Sequence, residues 1–133
     1  MSVLVDTSIW SLALRRETQD STQAIEALRN LILDHQVSII GPIRQELLSG
    51  IRSHSQFDRL TSYLSAFPDT AMITDDYVLA ARFFNLCRSK GVQGSNTDFL
   101  ICAVAVRNKF PIFTTDKDFG YFSAHLPIVL YEF

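Results

Sequence analysis

No apolar run in the sequence comes near the roughly 20 residues that span a bilayer. The start of the chain carries no basic leader, no apolar segment of signal length and no small-residue cleavage site, so a cytoplasmic protein is expected. Cysteine is scarce: Cys87 and Cys102 form no CxxC pair and have no histidine nearby, which predicts two buried reduced thiols. The three histidines, His35, His54 and His125, are isolated from one another and form no HxxxH pattern, which argues against zinc. Neither GxxxxGK[ST] nor GxGxxG occurs, so triphosphate and dinucleotide binding have no support. No Ser-His-Asp or Cys-His arrangement stands out. An excess of positive charge is also missing, since 12 Lys and Arg face 14 Asp and Glu, a formal net charge of −2. A polyanionic substrate would need a local basic surface or a metal ion.

What the chain has is an ordinary globular composition, 47% apolar and 20% charged, over a length that suits one domain, residues 1–133. Short apolar runs at 3–5, 37–40, 71–73, 111–114 and 128–131 read as strands. Between the first two, Ile25, Leu28, Leu31, Ile32 and His35 recur at helical spacing, with Asp20 and Gln23 as a cap. Pro42 opens a helix whose face carries Ile43, Leu47 and Ile51, and Phe57, Leu60, Leu64 and Phe67 mark another. Thr74 caps a helix carrying Val78, Leu79, Phe83 and Leu86, ended by Gly91. The segment TDFLICAVAVRN is nearly all apolar, so its helix should be deeply buried. Alternating strands and helices predict an α/β fold with a mainly parallel sheet.

In such sheets, ligands bind beyond the carboxyl ends of the strands. Asp6 directly follows the first strand in VLVDTS, and Asp116 directly follows PIFTT, with Asp118 two residues on. Glu46 lies in the first turns of the helix that leaves the second strand. Asp98 opens the buried helix, which must run back along the sheet before Pro111. Each acid has an ordinary explanation alone, as a cap, a turn residue or a solvated surface group. Together they are harder to explain, because unit charges about 4 Å apart repel by about 4 kcal/mol at an effective dielectric near 20. No Lys or Arg adjoins Asp6 or Asp98 to offset this. A divalent cation would, and all-oxygen ligands suit Mg²⁺ or Mn²⁺. Such an ion at a solvent-facing rim suits phosphodiester hydrolysis. The hydroxyls of Thr7, Ser8, Thr114 and Thr115 border the acids and can orient them, although local turn bonding accounts for Ser8 and Thr115 equally well.

VLVDTS, the acid in RQELLSG, TDFLICAVA and IFTTDKDF, taken together, resemble the four acidic landmarks of the PIN-domain family, and within it the VapC toxins of toxin–antitoxin pairs. The likeness spans nearly the whole chain. It implies a three-layer α/β/α sandwich and a Mg²⁺- or Mn²⁺-dependent endoribonuclease that silences translation. A homodimer and a small VapB-type antitoxin covering the site are implied as well. Carried over by position, Asp6, Glu46, Asp98 and Asp116 are the catalytic quartet. Asp6 and Asp98 are then the principal metal ligands, Asp116 completes the site, and Glu46 orients or activates water. Thr7, Thr114 and Asp118 would support these ligands. Cys102 stands where small residues such as alanine are usual, which bears on packing.

For RNA contacts, Arg15, Arg16 and Arg44 are candidates, with Arg52, Arg88 and Lys90 behind them. A slightly acidic protein should select a structured RNA, such as a tRNA or rRNA, over arbitrary single strands. Two rival readings remain. A receiver-like phosphotransfer domain needs paired acids after the first strand, where Asp6 stands alone. A non-catalytic module would bind metal only to stabilise its fold.

Overall fold

The computed structural model describes residues 1–15 and 22–133. The expected capping role of Asp20 falls outside those residues, as does Arg16. The described elements run β1 (Val3–Val5), α1 (Thr7–Leu14), α2 (Thr22–Leu33), β2 (Val37–Ser38), α3 (Gly41–Leu48), α4 (His54–Leu64), α5 (Thr74–Ser89), α6 (Asn96–Asn108), β3 (Ile112–Phe113) and α7 (Asp118–Ser123).

Val3, Leu4 and Val5 are fully buried on both faces, which is why β1 reads as an unbroken apolar run and sits at the centre of the sheet. The order is β2-β1-β3, all parallel, in the register Val3↔Val37, Leu4↔Ser38, Leu4↔Ile112 and Val5↔Phe113. Single parallel bridges, Ile39↔Asp69 and Ile112↔Leu130, extend the two edges. Helices cover both faces, giving the expected α/β/α sandwich.

Two expected strands are shortened or moved. Pairing on the β2 side occurs at Asp69 and Thr70, whose N–H donates to the Ile39 carbonyl at 2.8 Å. Residues 71–73 do not extend it, because Ile73 is already the N-cap of α5 and gives its N–H to Asp76 Oδ2 at 2.9 Å. Asp76 therefore closes that helix start, a role expected of Thr74. At the other edge the apolar run 128–131 makes one bridge, with Ile112 donating to Val129 O and Tyr131 donating to Ile112 O, both at 2.8 Å.

α6 buries Phe99, Ile101, Cys102, Ala103, Val104 and Ala105, so apolar groups cover most of its circumference. It packs along α5, and one ion pair fastens the two. Arg107 Nε and Nη2 donate to the buried Asp76 carboxylate at 2.6 and 2.9 Å, and Nη2 also reaches Ala71 O at 2.9 Å. Burial alone would push Asp76 upward, but the hydrogen bonds from Arg107 and Ile73, with the Arg107 charge, hold it below the usual carboxylate range.

Four of the described helices are followed by a residue at positive φ, and after α3 it is Gly50, at φ 85°. After α5 it is Gly91, at φ 77°, as expected; after α2 it is His35, at φ 54°, and after α6 it is Lys109, at φ 59°. His35 is thus an exposed cap and not part of the helix face that its spacing suggested. Below α6, Phe99 packs against Phe84 and Phe122, and Phe122 against Phe119. Both cysteines are free and buried, as expected.

Candidate active site

β1 ends on Asp6, whose N–H still donates to Phe113 O at 2.9 Å. The sheet therefore continues up to the carboxylate and fixes its backbone. Asp6 then serves as the N-cap of α1, with a long contact of 3.4 Å from Ser8 N to Oδ2. Two hydroxyls hold the same oxygen more tightly: Ser8 Oγ and Thr114 Oγ1 both donate to Oδ2 at 2.8 Å. With their single protons so engaged, the 3.2 Å approach between those two hydroxyls needs no proton of its own. The hydroxyls also accept, Ser8 Oγ from Thr115 N at 3.1 Å and Thr114 Oγ1 from Asp116 N at 2.9 Å. One network thus ties the ends of β1 and β3 together. It leaves Asp6 Oδ1 without a hydrogen bond among the described residues.

Asp98 stands at the third position of α6 and is locked there reciprocally: its Oδ2 accepts Ser95 N at 3.0 Å, while Asp98 N donates to Ser95 Oγ at 3.1 Å. Burial pushes the Asp98 carboxyl above its ordinary value, and the charges of Asp6 and Asp116 add to this against the Ser95 hydrogen bonds. Glu46, on α3, is raised too, by burial and then by Asp6 and Asp98. Acids from β1, α3, α6 and the end of β3 therefore feel one another. The two ion pairs among the described residues, Arg44 with Asp69 and Arg107 with Asp76, involve none of them.

Among the described residues, no group of three or more Asp, Glu, His or Cys side chains is placed to hold a metal ion. Mg²⁺ does not require such a group, since it is held by one or two carboxylates and keeps several waters. An all-oxygen donor set with uncompensated negative charge fits that ion. Cys102 lies on the same helix as Asp98, and burial raises its thiol first, with Asp98, Cys87 and Asp6 adding, so it stays protonated and unreactive.

The residues expected to support the site divide. Thr114 is in the network. Asp118 is exposed at the start of α7 and donates its backbone N–H to Asp116 Oδ1 at 2.9 Å. Thr7 differs: its Oγ1 is buried with no hydrogen-bond partner among the described residues, and Ser8 does what was expected of it. Ser95 went unnoticed in the sequence, although Ser95 followed three residues later by Asp98 is a capping-box signal. Arg44 is engaged within the fold, its guanidinium donating to Asp69 Oδ1 at 3.0 Å, to Leu64 O at 2.9 Å and to Phe67 O. It thereby fixes the end of α4, where phosphate contact had been expected.

Beside Glu46 a cleft of about 940 Å³ opens between α1, α3 and α4, lined by Leu14, Arg15, Leu47, Arg59, Leu60 and Tyr63 among others. Arg15 stands at the end of α1 on its wall. No helix among the described residues is long and apolar enough to cross a membrane.

A family model described as the PIN domain matches residues 3–123. No curated protein matches the chain. Among solved structures, it is similar to VapBC2 from Rickettsia felis bound to a promoter DNA fragment, with 17% identity and a TM-score of 0.80 over 100% of this chain and 99% of that one. It is similar to FitAcB from Neisseria gonorrhoeae, with 18% identity and a TM-score of 0.78 over 98% and 96%. A toxin–antitoxin complex from Klebsiella pneumoniae gives 23% identity and a TM-score of 0.68 over 99% and 100%. At such identities these structures share the fold.

Proposed function

The chain belongs to the PIN domain family, and from that premise we propose that it is a Mg²⁺- or Mn²⁺-dependent endoribonuclease, the toxin of a type II toxin–antitoxin pair. As a single PIN domain over residues 1–133 it would cleave phosphodiester bonds of a structured RNA, such as a tRNA or rRNA, and so inhibit translation in the cytoplasm. A VapB-type antitoxin would cover the site, and the toxin would act as a homodimer. The similar structures, a VapBC pair and a toxin–antitoxin complex, support the antitoxin. The observation that carries the reading is that burial and the charges of neighbouring acids raise Glu46 and Asp98, Asp6 acting on both and Asp116 on Asp98, while no basic side chain among the described residues is paired to any of the four.

Asp6, Asp98 and Asp116 would hold the metal. When bound, it supplies Lewis-acid stabilisation of charge on phosphate oxygens and lowers the pKa of water. The chain supplies orientation. Ser8 and Thr114 fix one oxygen of Asp6, leaving the other for the metal, and Ser95 does the same for Asp98. Thr114 also sets Asp116 by accepting its N–H. Glu46, raised by burial and by its acidic neighbours, is a better base than a free carboxylate and would take the proton of the attacking water.

The test is cleavage of total cellular RNA with Mg²⁺ or Mn²⁺ by the native protein and by Asp98→Ala. Discrete fragments that vanish in the variant and with chelator are expected. Equal fragments from both proteins would remove the assignment.

A further inference from the structure

The cleft beside Glu46 contains groups that the metal site does not use. Arg15 and Arg59 are both exposed on its walls, and neither forms an ion pair among the described residues, whereas Arg44 and Arg107 are fully engaged. Tyr63 lines the same cleft with its side chain 46% exposed. Its ring is propped edge-on against Phe67 at 5.8 Å, and Phe67 in turn rests on the buried Trp10 at 5.1 Å. A ring backed in this way and left 46% exposed can meet a ligand at little further cost in side-chain freedom.

Two guanidinium groups with no ion pair among the described residues and a propped aromatic ring, beside one of the quartet acids, match the chemistry of an unpaired RNA strand. From this arrangement we propose that Arg15, Arg59 and Tyr63 form a binding track for single-stranded RNA leading to Glu46. The two arginines contact backbone phosphates, and Tyr63 stacks on a base of the segment next to the bond cut. The inference deepens the proposed function and rests on RNA being the substrate. It adds Arg59 and Tyr63 to the residues that recognise RNA, and it places recognition on loop nucleotides within a structured molecule. The positive groups explain how a chain of net charge −2 attracts a polyanion locally.

The experiment measures binding of fluorescent 12-nucleotide single-stranded RNAs of random sequence to the full chain, with chelator present so that nothing is cut. Binding is read as a function of salt for the native protein, Arg59→Gln, Arg15→Gln, Tyr63→Ala and Tyr63→Phe. Each arginine replacement should weaken binding several-fold and make the log–log salt slope shallower by about 0.7, the contribution of one single-strand phosphate contact. Tyr63→Ala should weaken binding about tenfold with the slope unchanged, and Tyr63→Phe should retain native affinity. Circular dichroism melting identifies any variant that loses affinity by unfolding, and Tyr63→Phe and the arginine variants then carry the test. Unchanged slopes and affinities in the arginine variants would overturn the proposal. So would variants that keep RNA binding but lose an amphipathic helical peptide from the cleft, which would assign it to a protein partner. A native protein that binds with the expected slopes yet cuts no RNA would count against the nuclease reading and leave the track standing.

Discussion

At the scale of single residues, the site depends on groups that hold the acids in place. Ser8, from two residues away, and Thr114, from 108 residues away, converge on one oxygen of Asp6. Loss of such an orienting contact commonly costs 10–100-fold in metal affinity or activity. Ser8→Ala should therefore lower the cleavage rate at least tenfold while moving the melting midpoint by only a few degrees. Single-turnover rates beside a thermal melt check this, and a rate unchanged within twofold would assign Ser8 to capping alone. Gly94 offers a second test. A Cβ there would lie 2.5 Å from Phe122 Cζ and 3.0 Å from Phe99 Cε2, rings that are fully buried and packed on each other. Gly94→Ala should thus destabilise the fold by about 1–3 kcal/mol, read by denaturant unfolding. It should also displace the adjacent Ser95 that holds Asp98.

The residues that sequence alone made visible are those whose position along the chain carries the signal. Asp6 directly follows an apolar run and Asp116 comes two threonines after one, so their nearness to the strand ends could be read from pattern. Ser8 could not be separated from a local turn residue, because its bond to Asp6 is itself local and the contact that sets it apart, from Thr115 N, lies 107 residues away. The fold-internal contacts of Arg44 were hidden for the same reason: its partners Leu64, Phe67 and Asp69 are 20 to 25 residues away and leave no trace in the local pattern.

At the scale of elements, helices were more legible than edge strands. A helix declares itself by apolar spacing and end residues, as α3 does with Pro42 and α5 with Gly91. An edge strand that pairs through a single bridge, at Asp69 or at Leu130, looks no different from an apolar loop. Two helix ends remain open to improvement. Lys109 and His35 occupy the left-handed region that costs a side-chain-bearing residue roughly 1–2 kcal/mol. Lys109→Gly and His35→Gly should each raise stability by about 0.5–1 kcal/mol, measured by denaturant unfolding. The α5–α6 lock predicts the opposite. Arg107→Ala leaves the Asp76 carboxylate buried with only the Ile73 N–H and should lower stability, read by denaturant unfolding. The pH dependence follows from the depressed pKa of Asp76. Its contribution is present above the unfolded carboxylate range and is lost as pH falls through the folded value. Native and Arg107→Ala proteins should therefore differ most near neutrality and converge on acidification below about pH 4. A gap that persists unchanged into acid would mean that Arg107 acts by packing.

At the scale of the whole molecule, the sheet works against local electrostatics. Burial of β1 and α6 brings Asp6 and Asp98 to one rim, and the quartet shares that rim with no basic side chain paired to it among the described residues. Such repulsion is tolerable for a domain whose net stability is only about 5–15 kcal/mol because apolar burial offsets it, but it should be measurable. In chelator at neutral pH, Asp98→Asn should melt higher than the native protein, since it removes one charge and keeps an oxygen to accept Ser95 N. Divalent metal should reverse that order. At ten times its dissociation constant, an ion that binds only the folded state adds about 1.4 kcal/mol, roughly 3–6 °C for a domain of this size. Native protein should gain this with Mg²⁺ or Mn²⁺, while Asp98→Asn gains little. Scanning calorimetry with and without metal decides between the outcomes. Equal gains in both proteins would mean that the ion binds elsewhere and that the acids at the rim have some other use.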